Sequence, residues 1–356
     1  MNCKLRGFIL ADVITVRATS IFFGVVQKNN KLVDCLMEGQ AFQPEYKQVS
    51  NSIMAENKVL TRRDGKKMDR FSLLAIMAAQ SCFEDGALDE KQIYGCEIFL
   101  GNMTGGWTYT EPQLRKLHSE GLLDISPYLA SAWFPAAPQG QISIHLKVAG
   151  LAKTVTTDRC GGAQAIGMGL DRARASVQLV LCGAVEAPVT PFVEAAYRKA
   201  YWNSDRLCEG AAMLILEKVT LQTAINDNRP VLCNEISRPV LASSKSCKYE
   251  MKQMLETILT VQDKENISLV VLSINDDVST KSDVVKLIFQ TLNSEELKII
   301  DLDEIIGDGL AVNSAAAVIA SAEFIKSNKH SRVLVISVGH QCLSAITLSH
   351  PNDLLE

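Results

Sequence analysis

Aromatic residues make up only 6% of this 356-residue chain, and neither sign of charge dominates it. The first shortage argues against a β-sandwich packed around large rings. With 47% hydrophobic residues, led by Ala, Val, Ile and Leu, the composition suits buried sheets covered by small-residue helices. It is ample for a large core in one big domain or two fused halves. The net charge of -4 gives no electrostatic case for a nucleic-acid partner. Metal-ligand spacing is missing too. The ten cysteines, at 3, 35, 82, 96, 160, 182, 208, 233, 247 and 342, form no CxxC pair, and the five histidines do not cluster beside them. No apolar run approaches the ~20 residues that a bilayer span needs. The apolar opening MNCKLRGFILADVITV is broken by Asp12, with no small-residue cleavage site after it. Scattered unpaired thiols imply a reducing compartment. The expectation is a cytoplasmic protein with no membrane partner, no metal and no cofactor.

What is present is a pattern of short elements. Strand-like runs fall at Gly7 to Val16 and Ser20 to Val26, before a polar stretch to about Thr61. From Met68, MDRFSLLAIMAAQSCFEDGAL has helical periodicity and a stop at Gly86. A strand at Cys96 to Leu100 leads into the turn GNMTGG, a polar helix from Glu111 to Ser119, and a loop with prolines at 127, 135 and 138.

The later chain repeats one pattern twice. The first copy has a turn (CGGAQ), an Ala-rich helix (Ala163 to Arg174), a strand (VQLVLCGAVE) and a final strand (EGAAMLILEK). The second has GDGLAVN, an Ala-rich helix (Ser314 to Lys326), RVLVISVGH and CLSAITL. Both helices are apolar nearly all round, which predicts burial between layers. Two such units back to back give sheets sandwiching a central helix pair, with halves at 1–230 and 231–356. Two ordinary βα units of one doubly wound sheet remain the alternative.

The stretch Gly101 to Glu217, above all SPYLASAWFPAAPQGQISI and CGGAQAIG, resembles the β-ketoacyl synthases of the thiolase superfamily, and among them the chain-length factors of type II polyketide synthases. The resemblance runs from about residue 65 to 348. It implies an α/β, thiolase-like, five-layered αβαβα fold of two duplicated halves, and a two-fold dimer.

Such a synthase needs a thiolate where a strand turns into the buried helix, whose N-terminus lowers the thiol pKa. Two histidines then stabilise the thioester oxygen during decarboxylation. The resemblance puts the nucleophile three residues before the second glycine of CGG, where this chain has Arg159 in TTDRCGG. A guanidinium cannot act as an acyl nucleophile. Cys160 is one residue late and reads better as a small buried core residue. The first histidine's place, eight residues before Asp283, holds Asn275; the second, in a Gly-His pair, holds Asp308 after Gly307. The family's lysine aligns with Asp303, and its Gly-Phe-Gly-Gly gate reads GHQC with His340 and Cys342. The other histidines fall elsewhere: His118 on a polar helix, His145 in a strand, His330 and His350 in exposed contexts. No catalytic residue is assigned; Arg159, Asn275, Asp308 and His340 are degenerate positions. Because the two turns converge in this fold, Arg159 is expected to pair with buried Asp308, or else Asp158, the alternative being that it turns out to water.

The resemblance therefore implies a non-catalytic chain-length factor that heterodimerises with an active ketosynthase and shapes the channel for a polyketide carried on an acyl carrier protein. The resemblance also implies an interface and channel segment at 101–150, with the channel wall on Trp107, Thr110 and Leu114, whose spacing shares one helical face; Trp107 equally suits interface packing. The basic run Arg62, Arg63, Lys66, Lys67 and Arg70 offers a dock for an acidic carrier protein, or is a solvated loop. Three rivals stay open: a standalone β-ketoacyl synthase using Cys160, a scaffold without a channel, and a chain-length factor of a reducing aryl polyene system.

Overall fold

The computed structural model describes residues 11–24, 32, 35, 42–43, 47–52, 59–61, 63–175, 179–200, 203–240, 244–274, 278–292, 297–328 and 331–355. Its strands are β1 (Asp12–Phe23), β2 (Glu97–Asn102), β3 (Ala152–Thr156), β4 (Leu179–Glu186), β5 (Gly210–Thr220), β6 (Val231–Pro239), β7 (Ile267–Ile274), β8 (Lys298–Asp301), β9 (Arg332–Val338) and β10 (Cys342–Ser349). The longer helices are α1 (Arg70–Asp85), α2 (Trp107–Ser119), α3 (Ala137–Leu146), α4 (Gly161–Ala175), α5 (Pro191–Lys199), α6 (Ser244–Ile258), α7 (Val278–Thr291) and α8 (Ala311–Ser327).

The strands are hydrogen-bonded in the order β3-β2-β4-β5-β1-β6-β10-β9-β7-β8. Read from either outer end, two parallel junctions are followed by two antiparallel ones. The two five-stranded runs meet at β1 and β6, where Thr15 stands opposite Val231 and the Val16 N–H donates to Pro230 O at 2.9 Å. We propose the chain's division into units 1–230 and 231–356 on this likeness of order.

Strand side chains alternate between two cores, and both are apolar. Along β4, Val180, Cys182 and Ala184 face a central core, whereas Leu179, Leu181 and Val185 face an outer one that includes α1. Along β9, Val333 and Val335 point to the same central core, while Leu334, Ile336 and Val338 meet α6 and α7. The layers are thus outer helices, half-sheet, the α4–α8 pair, half-sheet and outer helices. This is the five-layered αβαβα, thiolase-like arrangement, and small side chains make it possible. Helix α8, AVNSAAAVIASAEFIKS, is buried from Ala311 to Ala322. A Cβ on Gly162 would strike Ala311 O, so glycine lets the two central helices begin side by side.

Several local expectations are corrected. Within the described residues the two leading runs join in one strand, β1, kept continuous by a bulge at Arg17, with Val16 opposite Leu216 and Ala18 opposite Ile215. The polar helix begins at Trp107 rather than Glu111. The proline-rich stretch contains the short helix Leu129–Trp133 and then α3, with Pro138 in its first turn, where a missing N–H costs nothing. His145 therefore lies on a helix, not a strand: the alternation in ISIHL mimics a strand, but local sequence does not decide the element here. His350 is buried, not exposed; its Nε2 lies 2.9 Å from Asn228 Oδ1. His330 falls outside the described residues.

Candidate functional site

Strand β3 ends at Thr156, and Asp158, Arg159 and Cys160 turn the chain into α4. In the second half, β8 leads through the short helix Asp303–Ile306 to Gly307, Asp308, Gly309 and Leu310, and then into α8. The two turns face one another. Arg159 donates through both terminal nitrogens to the two carboxylate oxygens of Asp308, and both residues are buried. A fork-to-fork pair of this kind satisfies a charge where water is excluded. Burial opposes the charge on Arg159, but Asp308 outweighs it, and the guanidinium is held protonated more firmly than usual.

Asp308 is itself fixed by its neighbours. Its N–H donates to Arg206 O at 2.7 Å, its carbonyl accepts from Cys208 N–H at 2.9 Å, and its Oδ1 accepts the Leu310 N–H at 3.1 Å. Leu310 has φ of 55°, a region that side chains rarely adopt. Asn313 links the turn to the buried carboxyl of Asp303, donating to Asp303 Oδ1 at 2.8 Å and Gly307 O at 2.7 Å. Burial pushes the Asp303 carboxyl well up. The Ser314 hydroxyl accepts the Ala163 N–H at 3.0 Å, so the second helix caps a free donor of the first.

Cys160 is fully buried, with its Sγ 3.2 Å from Cys342 O and 3.5 Å from Ser337 O. Burial, and then neighbouring Cys342, push its thiol well above the ordinary range. The thiol form is favoured there, and a thiol is a poor acyl acceptor. His340, in the turn between β9 and β10, is half-buried; burial and then Arg159 lower its pKa. Asp158 does not bind Arg159 side chain to side chain. Its carboxylate accepts from Cys160 N–H at 3.2 Å and Gln341 N–H at 2.8 Å, tying the elbow to the β9–β10 turn. Asn275 lies outside the described residues.

Trp107, Thr110 and Leu114 all sit on α2, but in different surroundings. Trp107 stacks on Phe192 with centroids 4.8 Å apart, and packs against the buried group Val193, Tyr197, Leu207 and Leu310. It thus reaches the rim of the Arg159–Asp308 turn. Thr110 is buried and its hydroxyl donates to Gly106 O. Leu114 is half-buried and outside that group. Glu111 accepts the Phe192 N–H at 2.9 Å, joining α2 to α5. In the basic run, Arg63 and Lys66 are exposed, Lys67 lies over the Tyr128 ring at 5.2 Å, and Arg62 is outside the described residues. Arg70 is corrected: it does not belong to a solvated face, because it pairs with buried Glu209 at 2.6 Å.

Glu186 carries a role that the sequence reading missed. Fully buried at the end of β4, it accepts from Met103 N–H, Thr104 N–H at 3.2 Å and the Thr104 hydroxyl at 2.5 Å. It therefore holds the GNMTGG turn. The available signal was a lone carboxylate closing the apolar run LVLCGAVE. Burial pushes its pKa up to about 7.

Residues 48–212 match the family profile of the Beta-ketoacyl synthase, N-terminal domain. A putative polyketide beta-ketoacyl synthase 2 of Streptomyces coelicolor is 32% identical over 127 residues, 35% of this chain and 30% of that protein. Nodulation protein E of a Rhizobium species is 29% identical over 197 residues, 49% of each. These matches thus span under half of either relative's length. Among solved structures, a type II PKS acyl-carrier protein in complex with its ketosynthase bound to the hexaketide contains a chain that superposes with a TM-score of 0.78 at 21% identity, covering 95% of this chain and 99% of that one. The ishigamide ketosynthase/chain length factor gives 0.75 at 16% identity, over 95% and 99%. At these identities the structures establish the fold.

Two outcomes follow. Asp308→Ala leaves a buried guanidinium unpaired and should lower stability by on the order of 3–5 kcal/mol in urea unfolding, whereas Arg159→Met with Asp308→Leu should cost much less. Unchanged unfolding of the single variant would remove the pair from the account. For Glu186, the unfolded carboxyl ionises near its ordinary 4.5 and the folded one near 7. Its contribution to stability is full below pH 4.5 and falls by ~3 kcal/mol as pH rises towards 7. Glu186→Gln should flatten that part of the stability–pH curve; an unaltered slope would contradict the assignment.

Proposed function

We propose, from the match of residues 48–212 to the beta-ketoacyl synthase N-terminal domain and the geometry of the elbow, that the chain is a non-catalytic chain-length factor of a type II polyketide synthase. The observation that carries the reading is the bidentate Arg159–Asp308 pair. It fills the space between the two helix N-termini where a condensing enzyme of this fold keeps its thiolate and an imidazole. A guanidinium offers no lone pair for acyl transfer. The neighbouring Cys160 is protonated and turned to backbone carbonyls. That disfavours a standalone synthase using Cys160.

A protein with this role works through a partner, and its surface supports one. Strand β3 closes one end of the sheet and pairs only with β2 among the described strands. Beside α2, the neighbouring turn and short helix expose Leu122, Leu123 and Trp133, Phe134 and Ile144 are exposed further along the chain, and Phe192 is exposed in the Trp107 stack. Apolar exposure on this scale marks an interaction surface. We assign it to a catalytic ketosynthase subunit in a heterodimer, with an acyl carrier protein delivering the growing polyketide. Among the described residues of the basic run, Arg63 and Lys66 are exposed and suit an acidic carrier. Trp107 is the proposed plug of the channel, since it stands between the exposed Phe192 and the buried turn at Leu310. Whether the product is aromatic or a reduced polyene rests with the other enzymes of the pathway.

Co-expression with a catalytic ketosynthase and its carrier protein tests the reading. The chain should co-purify with the ketosynthase, and Trp107→Ala should shift the carrier-bound products, read by mass spectrometry, to longer chains. A folded mutant complex with an unaltered product distribution would place the wall elsewhere. Failure of the wild-type chain to associate with any ketosynthase would remove the role itself.

A further inference from the structure

Three soft or anionic donors converge on the elbow at a place that the proposed role does not use. One oxygen of Asp158 and the sulfurs of Cys160 and Cys342 all lie within 4.8 Å of one another. Asp158 and Cys160 come from the turn that opens α4; Cys342 is the first residue of β10. We propose that these three side chains form a binding site for a soft divalent cation of the zinc class, with a fourth coordination position open to solvent.

The geometry fits such an ion. A tetrahedral centre with sulfur at ~2.3 Å and oxygen at ~2.0 Å sets its ligands ~3.5–4 Å apart, so three donors within this span close on it with small side-chain rotations. Two sulfurs among three ligands select zinc-like ions over magnesium or calcium, which take oxygen. The spacing escapes a CxxC search because the ligands come from opposite halves of the sequence and meet only in the fold.

The surroundings orient the donors as an outer shell does. Gln164 Nε2 donates to Cys342 Sγ at 2.9 Å, while Gln164 Oε1 accepts from the Thr157 hydroxyl at 2.8 Å. That second bond fixes which end of the amide meets the sulfur, and an N–H there stabilises a thiolate. The Asp158 carboxylate is held by the N–H groups of Cys160 and Gln341. An entry path exists as well: a cleft of about 490 Å³ is lined by Asp158, Gln164, Gln341 and Cys342. Binding forms two metal–sulfur bonds and one metal–oxygen bond and releases both thiol protons to water, with no change of oxidation state. The bound ion would clamp the α4 elbow to the β9–β10 turn.

The test uses the full chain, reduced and stripped of metal, titrated with Co²⁺ and followed by absorbance. A single equivalent of cobalt should give a sulfur-to-cobalt charge-transfer band that Zn²⁺ then displaces. Cys342→Ser and Asp158→Asn should each lose that step, and Cys247→Ser, far along the sequence on α6, should keep it. Gln164→Ala should bind about 10–100-fold more weakly. Circular dichroism establishes that each variant is folded; if Cys160→Ser is not, Cys342→Ser and Asp158→Asn still decide. The absence of a charge-transfer band in the wild-type chain, or one that survives in both Cys342→Ser and Asp158→Asn, would overturn the proposal.

Discussion

At the centre of the molecule two buried helices begin side by side, each directing its positive end at the same small volume. A cation placed there meets both dipole ends and loses its water, so it persists only against a full counter-charge. Asp308 supplies it from the opposite turn, and both oxygens are used. The same carboxylate accepts the N–H of Leu310, whose positive φ costs on the order of 1–3 kcal/mol unless its surroundings impose it. One interaction thus neutralises the charge, shapes the second turn and joins the two halves of the chain.

Close packing makes that interaction obligatory rather than optional. Gly162 admits Ala311 against the first helix, and Ser314 caps it, so the turns have little room to separate. An arrangement that in an active enzyme brings sulfur and imidazole together here brings a permanent cation and its anion. In our account the fold is kept while the chemistry is surrendered to a partner. The surface is consistent with that division of labour: the exposed apolar side chains Leu122, Leu123 and Trp133 lie on elements packed beside the helix that carries Trp107.

How much of this could be read beforehand depends on the range of each interaction. The paired Ala-rich helices and all-apolar strands were legible because burial on every face leaves its mark in consecutive residues. Arg159 and Asp308 were legible as a problem, an unpaired charge at a helix start, whose solution lies 149 residues away. Other features depend on tertiary partners that leave no local trace. Asp158 serves backbone N–H groups near Gln341, and Glu186 holds a turn 82 residues earlier. His350 reads as a polar residue near the C-terminus, yet it is buried against Asn228. The helix around His145 was hidden by a short strand-like alternation that packing overrides.

The elbow cannot carry an acyl group, because the nucleophile's place is taken by the ion pair and the neighbouring Cys160 sulfur is enclosed against backbone carbonyls. Intact-mass spectrometry of the purified chain after incubation with an acyl-loaded carrier protein tests this directly. The account predicts an unchanged mass in the absence of a ketosynthase subunit, with the acyl group appearing only on the added subunit when one is supplied. A stable acyl adduct on Cys160 of the isolated chain would contradict it.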